Sequence, residues 1–488
     1  MSADIMNNSG IYYRGARAVP YNSANWAAQT VADRPNARPG VKEKASTTAR
    51  LMVLAIICCV FEGAGRKWLV PGASTPVQAL FYFSKDFFFF LAAIAALSER
   101  PRSPQIAQLR GVLAIASMII LVACLPSISD AVIVGGVLSI RSLIVIPALS
   151  LLVATGLQGR RDLEVIAKTV GYVAIPIAVL GAMQFYLPGT HILNRQLDEF
   201  SRPVVFEGRV RASGTFTYIS GMSALSLVSC WAGCFFLLAP PRQKIGYVFV
   251  LAGLTCAAAA LSRSGLFFSL ALIVSVLALS RTGLSAAVGL GTALLVAALL
   301  MGEFQESDDP SARHTADLIT GTFSRHEVSD TVESRGEWML LSVLDALVEV
   351  PTGRGLGQGQ QAENAVSSGR RRFAGYETEM ARIVFEIGDL GLFGVLFFRG
   401  AVILLLSASL LTTHETDTPL HYLRKTSIAA LGLFVITNTA FNHVACTFCW
   451  TVAAVALATF EIELRQKENS SVPSARQPGR PPLRYSNA

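Results

Sequence analysis

Long apolar runs separated by short polar stretches make up most of this chain. A helix needs about 20 apolar residues to cross a bilayer, and twelve runs approach or exceed that length. The pattern therefore predicts an all-α polytopic membrane protein of about twelve transmembrane helices. The runs lie at about 50–70, 77–97, 109–126, 131–155, 163–187, 217–239, 244–261, 264–280, 283–301, 379–411, 426–443 and 445–463.

The polar stretches divide the chain into five regions. Residues 1–49 are rich in Asn, Ser, Pro and Arg, and residues 464–488 are rich in proline, so we predict a disordered tail at each end. Between the tails, helices 1–9 occupy 50–301, a large loop occupies 302–378, and helices 10–12 occupy 379–463. A loop this long inside a compact bundle indicates a function for it.

Composition and charge exclude several classes of protein. Hydrophobic residues are 52% of the chain and charged residues only 15%, against about 25% charged in soluble proteins. A soluble enzyme, a disordered chain and a secreted disulfide scaffold are therefore excluded. The formal net charge of +8 comes from the two ends of the chain, because residues 1–50 and residues 464–488 contribute +4 each. Basic tails beside membrane spans predict that both termini are cytoplasmic, and we expect no nucleic-acid partner.

Arginine is concentrated in the half of the bundle that faces away from the cytoplasm. An even number of spans puts the loop at 302–378 on that periplasmic side, and between 302 and 376 it holds seven Arg, twelve Asp/Glu and no Lys. The rigid guanidinium fork binds phosphate with two hydrogen bonds. We therefore interpret the arginines at or near the periplasmic surface as a site for an anionic, phosphate-bearing ligand. The alternative is pairing with loop acids and interface snorkelling. The set comprises Arg66, Arg141, Arg195, Arg202, Arg209, Arg211, Arg263, Arg335, Arg354, Arg370, Arg371, Arg372 and Arg382.

Four charged residues of the first two spans are further candidates. Glu62 and Arg66 are four residues apart, so they either form an ion pair along one helix face or belong to an ordinary span terminus. Lys85 and Asp86 lie inside the second apolar run, where ionisable residues are candidates for function. The alternative for the second pair is that the two side chains bind each other or shield a neighbouring charge.

The large loop contains an amphipathic pattern. The pattern of residues 335–350 predicts a helix that ends at Pro351. This helix would lie on the bilayer surface or fill the opening of the helix bundle. The glycine-rich stretch 353–359 follows, which either brings its backbone close to a ligand or forms a simple turn. The polar stripe of the predicted helix comprises Arg335, Ser342, Asp345 and Glu349.

Beyond the loop, three charged residues share one helix face at the start of the tenth span. Glu379, Arg382 and Glu386 are spaced by three and four residues. Such a group forms an intrahelical ion-pair ladder, or it keeps a carboxylate ionised so that it acts as a general base.

The order of these motifs resembles the O-antigen ligase/polymerase-like superfamily, over residues 50–463 or so. The segment from Phe61 to Pro71 is also similar to one in exopolysaccharide-polymerase-like members. The motifs that carry the resemblance are Arg211-Ala-Ser-Gly214-Thr215-Phe216, Ser262-Arg263, Arg335-Gly-Glu-Trp338, Pro351 with its glycine-rich stretch, and Glu386-Ile-Gly388-Asp-Leu-Gly391.

The resemblance implies an enzyme of the bacterial inner membrane. Members are glycosyltransferases that need neither a metal nor a cofactor and use a glycan on undecaprenyl diphosphate as donor. Polymerases transfer the glycan to the next lipid-linked repeat unit, and ligases transfer it to lipid A-core. Membrane lipids, a flippase and a chain-length regulator are the partners that this activity implies.

The resemblance also implies roles for individual residues. Arg211, Arg263 and Arg335 would hold the lipid diphosphate, with Arg263 and Arg335 acting in catalysis, and Arg66 and Arg141 are secondary candidates. Further substrate-binding candidates from the arginine set are Arg209, Arg354 and Arg382.

One departure from the family bears on the reaction. Ligases have a His-Asn pair nine residues before the Glu of the Glu-x-Gly motif, whereas this chain has Glu377-Thr378 there. Glu377 or Glu379 would then be the base, and the missing His favours polymerase over ligase.

A flippase or transporter of lipid-linked sugars is the rival from another class. Transporters often have repeated halves and charges at the midplane, whereas the two halves of this sequence look dissimilar and its charge is concentrated on one face. A non-catalytic scaffold of an envelope complex, which would tolerate the loss of any single Arg, is a further rival.

Overall fold

The computed structural model describes most of the predicted spans. The chain divides into two units, residues 1–44 and 45–488, and of the first unit only residue 44 is described. The predicted span at 283–301, most of the large loop, and most of both predicted disordered tails lie outside the described residues. These are 44–71, 73–126, 133–195, 205–206, 209–239, 243–278, 341–357, 378–412, 418–436, 439 and 441–471.

The described part of the second unit is almost entirely helical. A π-helical turn, which is wider than an α-helical turn, prolongs the first helix at Gly65–Leu69. A second such wider turn, Arg141–Val145, joins the fourth helix to the fifth. The short strands β1 (Val205–Phe206) and β2 (Arg209–Val210) pair antiparallel. The helices α1 to α13 are, in chain order, Thr47–Ala64, Thr75–Ala96, Pro104–Cys124, Ile133–Ile140, Ile146–Gly156, Arg160–Tyr186, Ile219–Leu238, Ile245–Ala259, Arg263–Ala278, 341–349, Glu379–Thr412, Pro419–Ile436 and His443–Ser471.

Eight helical segments of the described chain are long and apolar enough to cross a membrane, and α8 and α9 are shorter apolar helices. The prediction of an all-α, membrane-embedded protein is therefore confirmed at this level. Two boundaries differ from the sequence prediction. The sequence pattern predicts the eleventh span at 426–443, whereas α12 ends at Ile436. The last helix was placed at 445–463, but it continues to Ser471 as a polar extension of the span.

The most buried helices are those with small side chains. In the most apolar stretch of each helix, 94% of the residues are buried in α13 and 89% in α7, but only 28% in α2. The centre of α13 is rich in alanine, which lets neighbouring backbones approach closely within a membrane. By contrast, α2 leaves Leu80 72% and Phe87 57% exposed, as expected of a helix whose outer face contacts lipid. Helix α13 is therefore central, and α2 is peripheral.

Contacts between helix ends define two ends of the bundle. At one end, which we call the Glu461 end, the Glu461 carboxylate accepts from the Ser103 amide at 3.0 Å, and Arg465 donates to the Thr155 carbonyl at 3.1 Å. At the other, the Arg66 end, Trp68 Nε1 donates to the carbonyl oxygen of Ile192 at 3.1 Å. The turns that contain the predicted arginine motifs lie at the Arg66 end.

Helix α11 reverses direction at Gly388. A straight helix would separate residues 379 and 399 by about 30 Å, yet Arg399 Nη2 lies 2.6 Å from Glu379 Oε1. Gly388 has φ 72° and ψ −174°, a region that essentially only glycine occupies. The segment 379–387 therefore folds back beside the longer limb, and the predicted straight tenth span is a helical hairpin.

The glycine-rich stretch after Pro351 contacts this reversal. Arg354 N donates to the Phe385 carbonyl at 2.7 Å, and Asp389 N donates to the Pro351 carbonyl at 2.9 Å. A Cβ on Gly135 would lie 2.6 Å from the Gly357 carbonyl oxygen. The glycines thus permit close contact between protein backbones, which agrees with the turn interpretation of this stretch.

Helix α10 forms part of the predicted amphipathic helix and ends before Pro351, while residues 335–340 lie outside the described chain. The predicted stripe is not a single polar face. Ser342 is buried and lies 3.3 Å from the Thr378 hydroxyl, whereas Asp345 and Glu349 are exposed. The apolar side chains Leu341, Leu344 and Val348 are exposed as well.

We expect Gly388→Ala to destabilise the protein. The new residue must adopt a strained backbone, at a cost of about 1–3 kcal/mol, and its Cβ would collide with the Pro351 carbonyl. Thermal unfolding in detergent measures the loss. Gly400→Ala on the same helix is the control, because its Cβ would meet nothing within 4 Å. Equal unfolding temperatures for the two variants would contradict the role of the reversal.

Candidate functional site

The wider turn at the end of α1 directs two basic side chains differently. Lys67 is 1% exposed and donates to Ser213 Oγ at 2.7 Å and to the Phe216 carbonyl. Arg66 instead donates from Nε to Gln78 Oε1 at 3.0 Å. Lys67 therefore ties the α1 turn to the segment that follows Arg211, and these two predicted regions are adjacent.

The predicted Glu62–Arg66 pair is wrong, because Glu62 has other partners. One carboxylate oxygen pairs with Lys85, and the other lies 2.7 Å from His443 Nε2. The side chains of Glu62 and Lys85 are 1% and 0% exposed. Within a membrane such a buried carboxylate needs partners. Helix α2 supplies an opposite charge, and α13 supplies an imidazole.

Lys85 and Asp86 do not pair with each other either. Arg141 binds Asp86 through two parallel hydrogen bonds, Nε–Oδ2 at 2.7 Å and Nη2–Oδ1 at 2.5 Å. This is the forked geometry that distinguishes Arg from Lys. The wider turn that begins at Arg141 positions the guanidinium within the span.

The Tyr82 ring lies at the centre of these groups. Lys85 Nζ is 4.4 Å from its centroid, and the guanidinium carbons of Arg66 and Arg141 are 5.7 and 5.9 Å away. Each distance is within the range of a cation–π interaction. The ring of His443 is 4.6 Å from that of Tyr82. We call this group the Tyr82 cluster: Glu62, Arg66, Tyr82, Lys85, Asp86, Arg141 and His443.

A second buried carboxylate adjoins the cluster. Glu379 pairs with Arg399 and also accepts from the backbone amide and the hydroxyl of Thr439. Thr439 is four residues before His443, so the same connection between α12 and α13 contacts both carboxylates. Both oxygens of Glu379 thus have protein partners.

The other members of the predicted ladder also contact different elements. Ser139 donates to Glu386 Oε2 at 2.6 Å, which joins α11 to α4. The Arg382 guanidinium carbon is 5.8 Å from the centroid of the Phe441 ring, two residues before His443. Glu379 and Arg382 therefore contact the connection between α12 and α13, and Glu386 contacts α4.

Three further predicted arginines lie around the turn between α8 and α9. Arg211 donates to the carbonyls of Ala260 and Leu261, each at 3.2 Å. Arg263 is the first residue of α9, after Leu261, which has a positive φ of 45°. The guanidinium carbon of Arg209 is 5.3 Å from the ring centroid of Tyr186. Arg211 and Arg263 thus lie at this turn, and Arg211 also braces its backbone. Arg209 adjoins the turn through Phe185, which packs against Leu261.

An open apolar cavity of about 630 Å³ lies between α6 and α8, and its Tyr186 end is beside Arg209. Helix α6 contributes residues from Ile175 to Tyr186, and α8 contributes residues from Val248 to Thr255. Because Tyr186 lines the cavity and also contacts Arg209, an apolar surface and a cation are adjacent.

The predicted site residues thus form two neighbouring groups and a remainder. Arg66 and Arg141 belong to the Tyr82 cluster, with Glu379 and Arg382 adjoining it, and Arg209, Arg211 and Arg263 surround the α8–α9 turn. Arg354 is exposed on the glycine-rich stretch, and Arg195 is exposed. The residues that lie outside the described chain are Arg202, Arg335, Arg370, Arg371, Arg372 and Glu377.

Sequence reasoning missed His443, Tyr82, Lys67 and Arg399. An ionisable residue at the edge of an apolar run was the only signal for His443, and the partners of Lys67 and His443 come from distant parts of the chain. Among the described residues, no group of three or more His, Cys, Asp or Glu is arranged to hold a metal ion. The chain matches no family model, and a comparison with curated proteins finds no match.

Proposed function

We propose that this protein is an integral-membrane glycosyltransferase that polymerises undecaprenyl-diphosphate-linked oligosaccharide repeat units. The observation that carries the proposal is the concentration of arginines at one end of the bundle, around the Tyr82 cluster and the α8–α9 turn. Guanidinium groups at a membrane surface suit a lipid diphosphate, whose oxygens accept forked hydrogen bonds. The order of sequence motifs supports the same substrate class.

The local charge supports an anionic ligand. With a neutral imidazole at His443, the Tyr82 cluster contains more cations than carboxylates, namely Arg66, Lys85 and Arg141 against Glu62 and Asp86. Only Lys85 and Arg141 are paired with those carboxylates. The apolar cavity beside Arg209 suits the hydrocarbon part of the same ligand, because binding sites combine apolar walls with a few polar groups.

The reaction follows from the chemistry of the leaving group. The acceptor hydroxyl oxygen forms a bond to the anomeric carbon of the donor, and the bond from that carbon to the diphosphate oxygen breaks. The diphosphate leaves with the electron pair, and Arg211, Arg263 and Arg335 stabilise the developing charge. The hydroxyl proton passes to a base, for which Glu377 and Glu379 are the sequence-based candidates.

The orientation of the chain follows from its charges. The Glu461 end includes Arg102, Arg160 and Arg465, and its loops contribute further basic residues. The positive-inside rule puts this end in the cytoplasm of a bacterial inner membrane, with both termini there. The large loop and the arginines would then face the periplasm, where a flippase delivers repeat units and a chain-length regulator acts.

The carrier-lipid glycans of a deletion strain test the proposal. A polymerase predicts single repeat units accumulating on the carrier at the periplasmic face, and restoration of long polymer by the full chain. Accumulated long chains on the carrier would instead identify an O-antigen ligase that transfers to lipid A-core. Repeat units trapped on the cytoplasmic face would identify a flippase. Unchanged glycans would contradict all three activities.

A further inference from the structure

His443 has one anchored and one unengaged ring nitrogen. Its Nε2 lies 2.7 Å from Glu62 Oε1, while Nδ1 has no hydrogen-bonding partner among the residues that the structure describes. The side chain is 14% exposed, whereas that of Glu62 is 1% exposed. The imidazole is therefore the more accessible member of this buried pair.

The carboxylate that holds this imidazole is itself fixed. Lys85 binds the second oxygen of Glu62 and also donates to the Tyr82 carbonyl at 2.5 Å. The Tyr82 ring packs against the imidazole with centroids 4.6 Å apart. A buried carboxylate that orients a histidine, with the second ring nitrogen unengaged, is the arrangement that activates a hydroxyl group in many enzymes.

We propose that His443 is the general base of the glycosyl transfer and that Glu62 is its positioning residue. This inference rests on the proposed function and deepens it, because it assigns the proton acceptor. Glu379 is less suited to that task, since Arg399 and Thr439 bind both of its oxygens. The base comes from the junction of α1 and α13 rather than from the large loop.

The proton balance of the step is simple. His443 Nδ1 takes the proton of the acceptor hydroxyl as the oxygen attacks the anomeric carbon, and the diphosphate leaves with the bonding electrons. The resulting imidazolium is stabilised by the Glu62 carboxylate. Lys67, next to Arg66, contacts Ser213 two residues after Arg211, so a diphosphate held at the α8–α9 turn lies on the side of the Tyr82 ring and His443. The imidazolium then releases its proton to water.

Polymer synthesis by the purified full-length protein tests the dyad. The substrate is a lipid-linked repeat unit from the deletion strain, in detergent. We expect His443→Gln to lower kcat by about 10²- to 10⁴-fold, the range for general-base catalysis. His421→Gln is the matched control, because His421 is also buried but lies on α12, near the Glu461 end. We expect it to retain activity.

A double variant separates catalysis from general damage. If Glu62 acts through His443, adding Glu62→Gln to His443→Gln causes little further loss, because the two residues work as a unit. Additive losses of kcat in variants that remain folded, as thermal unfolding in detergent shows, would contradict the dyad. Glu62→Asp provides an independent test, since it keeps the charge beside Lys85 but withdraws the carboxylate from His443. We expect it to lower kcat about 10²-fold with KM retained.

The outcomes distinguish the two proposals. Wild-type polymer synthesis together with a His443→Gln variant within about threefold of its kcat would overturn the dyad and leave the proposed function standing. Loss of activity in Glu377→Gln, with His443→Gln active, would assign the base to the loop. If the wild-type chain makes no polymer from repeat units, the proposed function itself fails. If His443→Gln does not accumulate in membranes, the Glu62→Asp result decides.

Discussion

Cells that carry Arg263→Ala or Arg335→Ala are expected to make no long polymer while the protein remains in the membrane. In the proposed reaction each guanidinium would stabilise negative charge on the departing diphosphate, and removing one such preorganised donor costs about 10²- to 10³-fold in rate. Arg263 begins α9 at the turn that Arg211 braces, so truncation removes a charge without removing those backbone contacts. Gel analysis of chain length, with immunoblots of the membrane fraction, measures both effects.

Two control variants sharpen this test. Arg160→Ala removes an arginine near the Glu461 end whose side chain pairs with Glu164 near the surface, and we expect normal polymer. Arg263→Lys keeps the charge but loses the guanidinium fork, so we expect a partial loss. Normal chain length in both alanine variants would refute the diphosphate-binding role of these arginines.

Asp86→Leu is expected to lower the free energy of unfolding by about 3–5 kcal/mol, the typical cost of removing one partner of a buried ion pair. The side chains of Asp86 and Arg141 are 17% and 9% exposed, and two hydrogen bonds join them. The substitution would leave the guanidinium within a membrane span without its carboxylate. Reversible unfolding of the detergent-solubilised protein measures the difference.

The double variant Asp86→Leu, Arg141→Leu is the decisive comparison for stability. Replacing both partners with apolar side chains leaves no uncompensated charge, and such replacements are often neutral or stabilising. We therefore expect the double variant to recover most of the lost stability. A single variant that unfolds like the wild type, or a double variant that is less stable than the single one, would show that the pair does not stabilise the fold.

Much of the helical architecture follows from local features of the sequence. The length and apolarity of a segment decide whether it spans a membrane, and both are properties of consecutive residues. The predicted segments at 50–70, 109–126 and 163–187 each overlap a helix of the structure. The grouping of arginines at one end also follows from counting spans, since each span reverses the side of the next loop.

The partners of the buried charges depended on contacts between distant residues. The spacing of Glu62 and Arg66 suggested a pair within one helix, but the wider turn and the approach of α2 and α13 gave Glu62 Lys85 and His443 instead. In a medium without water, buried charges bind the opposite charges that neighbouring helices bring close. Sequence spacing contains no information about those neighbours.

The sequence alone determined that this chain is an all-α membrane protein whose arginines are grouped on one side, because hydropathy and charge act locally. Tertiary structure alone decided that α11 reverses at Gly388, that Tyr82 lies among three cations, and that His443 meets Glu62. The physical reason is that helix packing selects partners across hundreds of residues, whereas a pattern along the chain reports only the immediate neighbours of each residue.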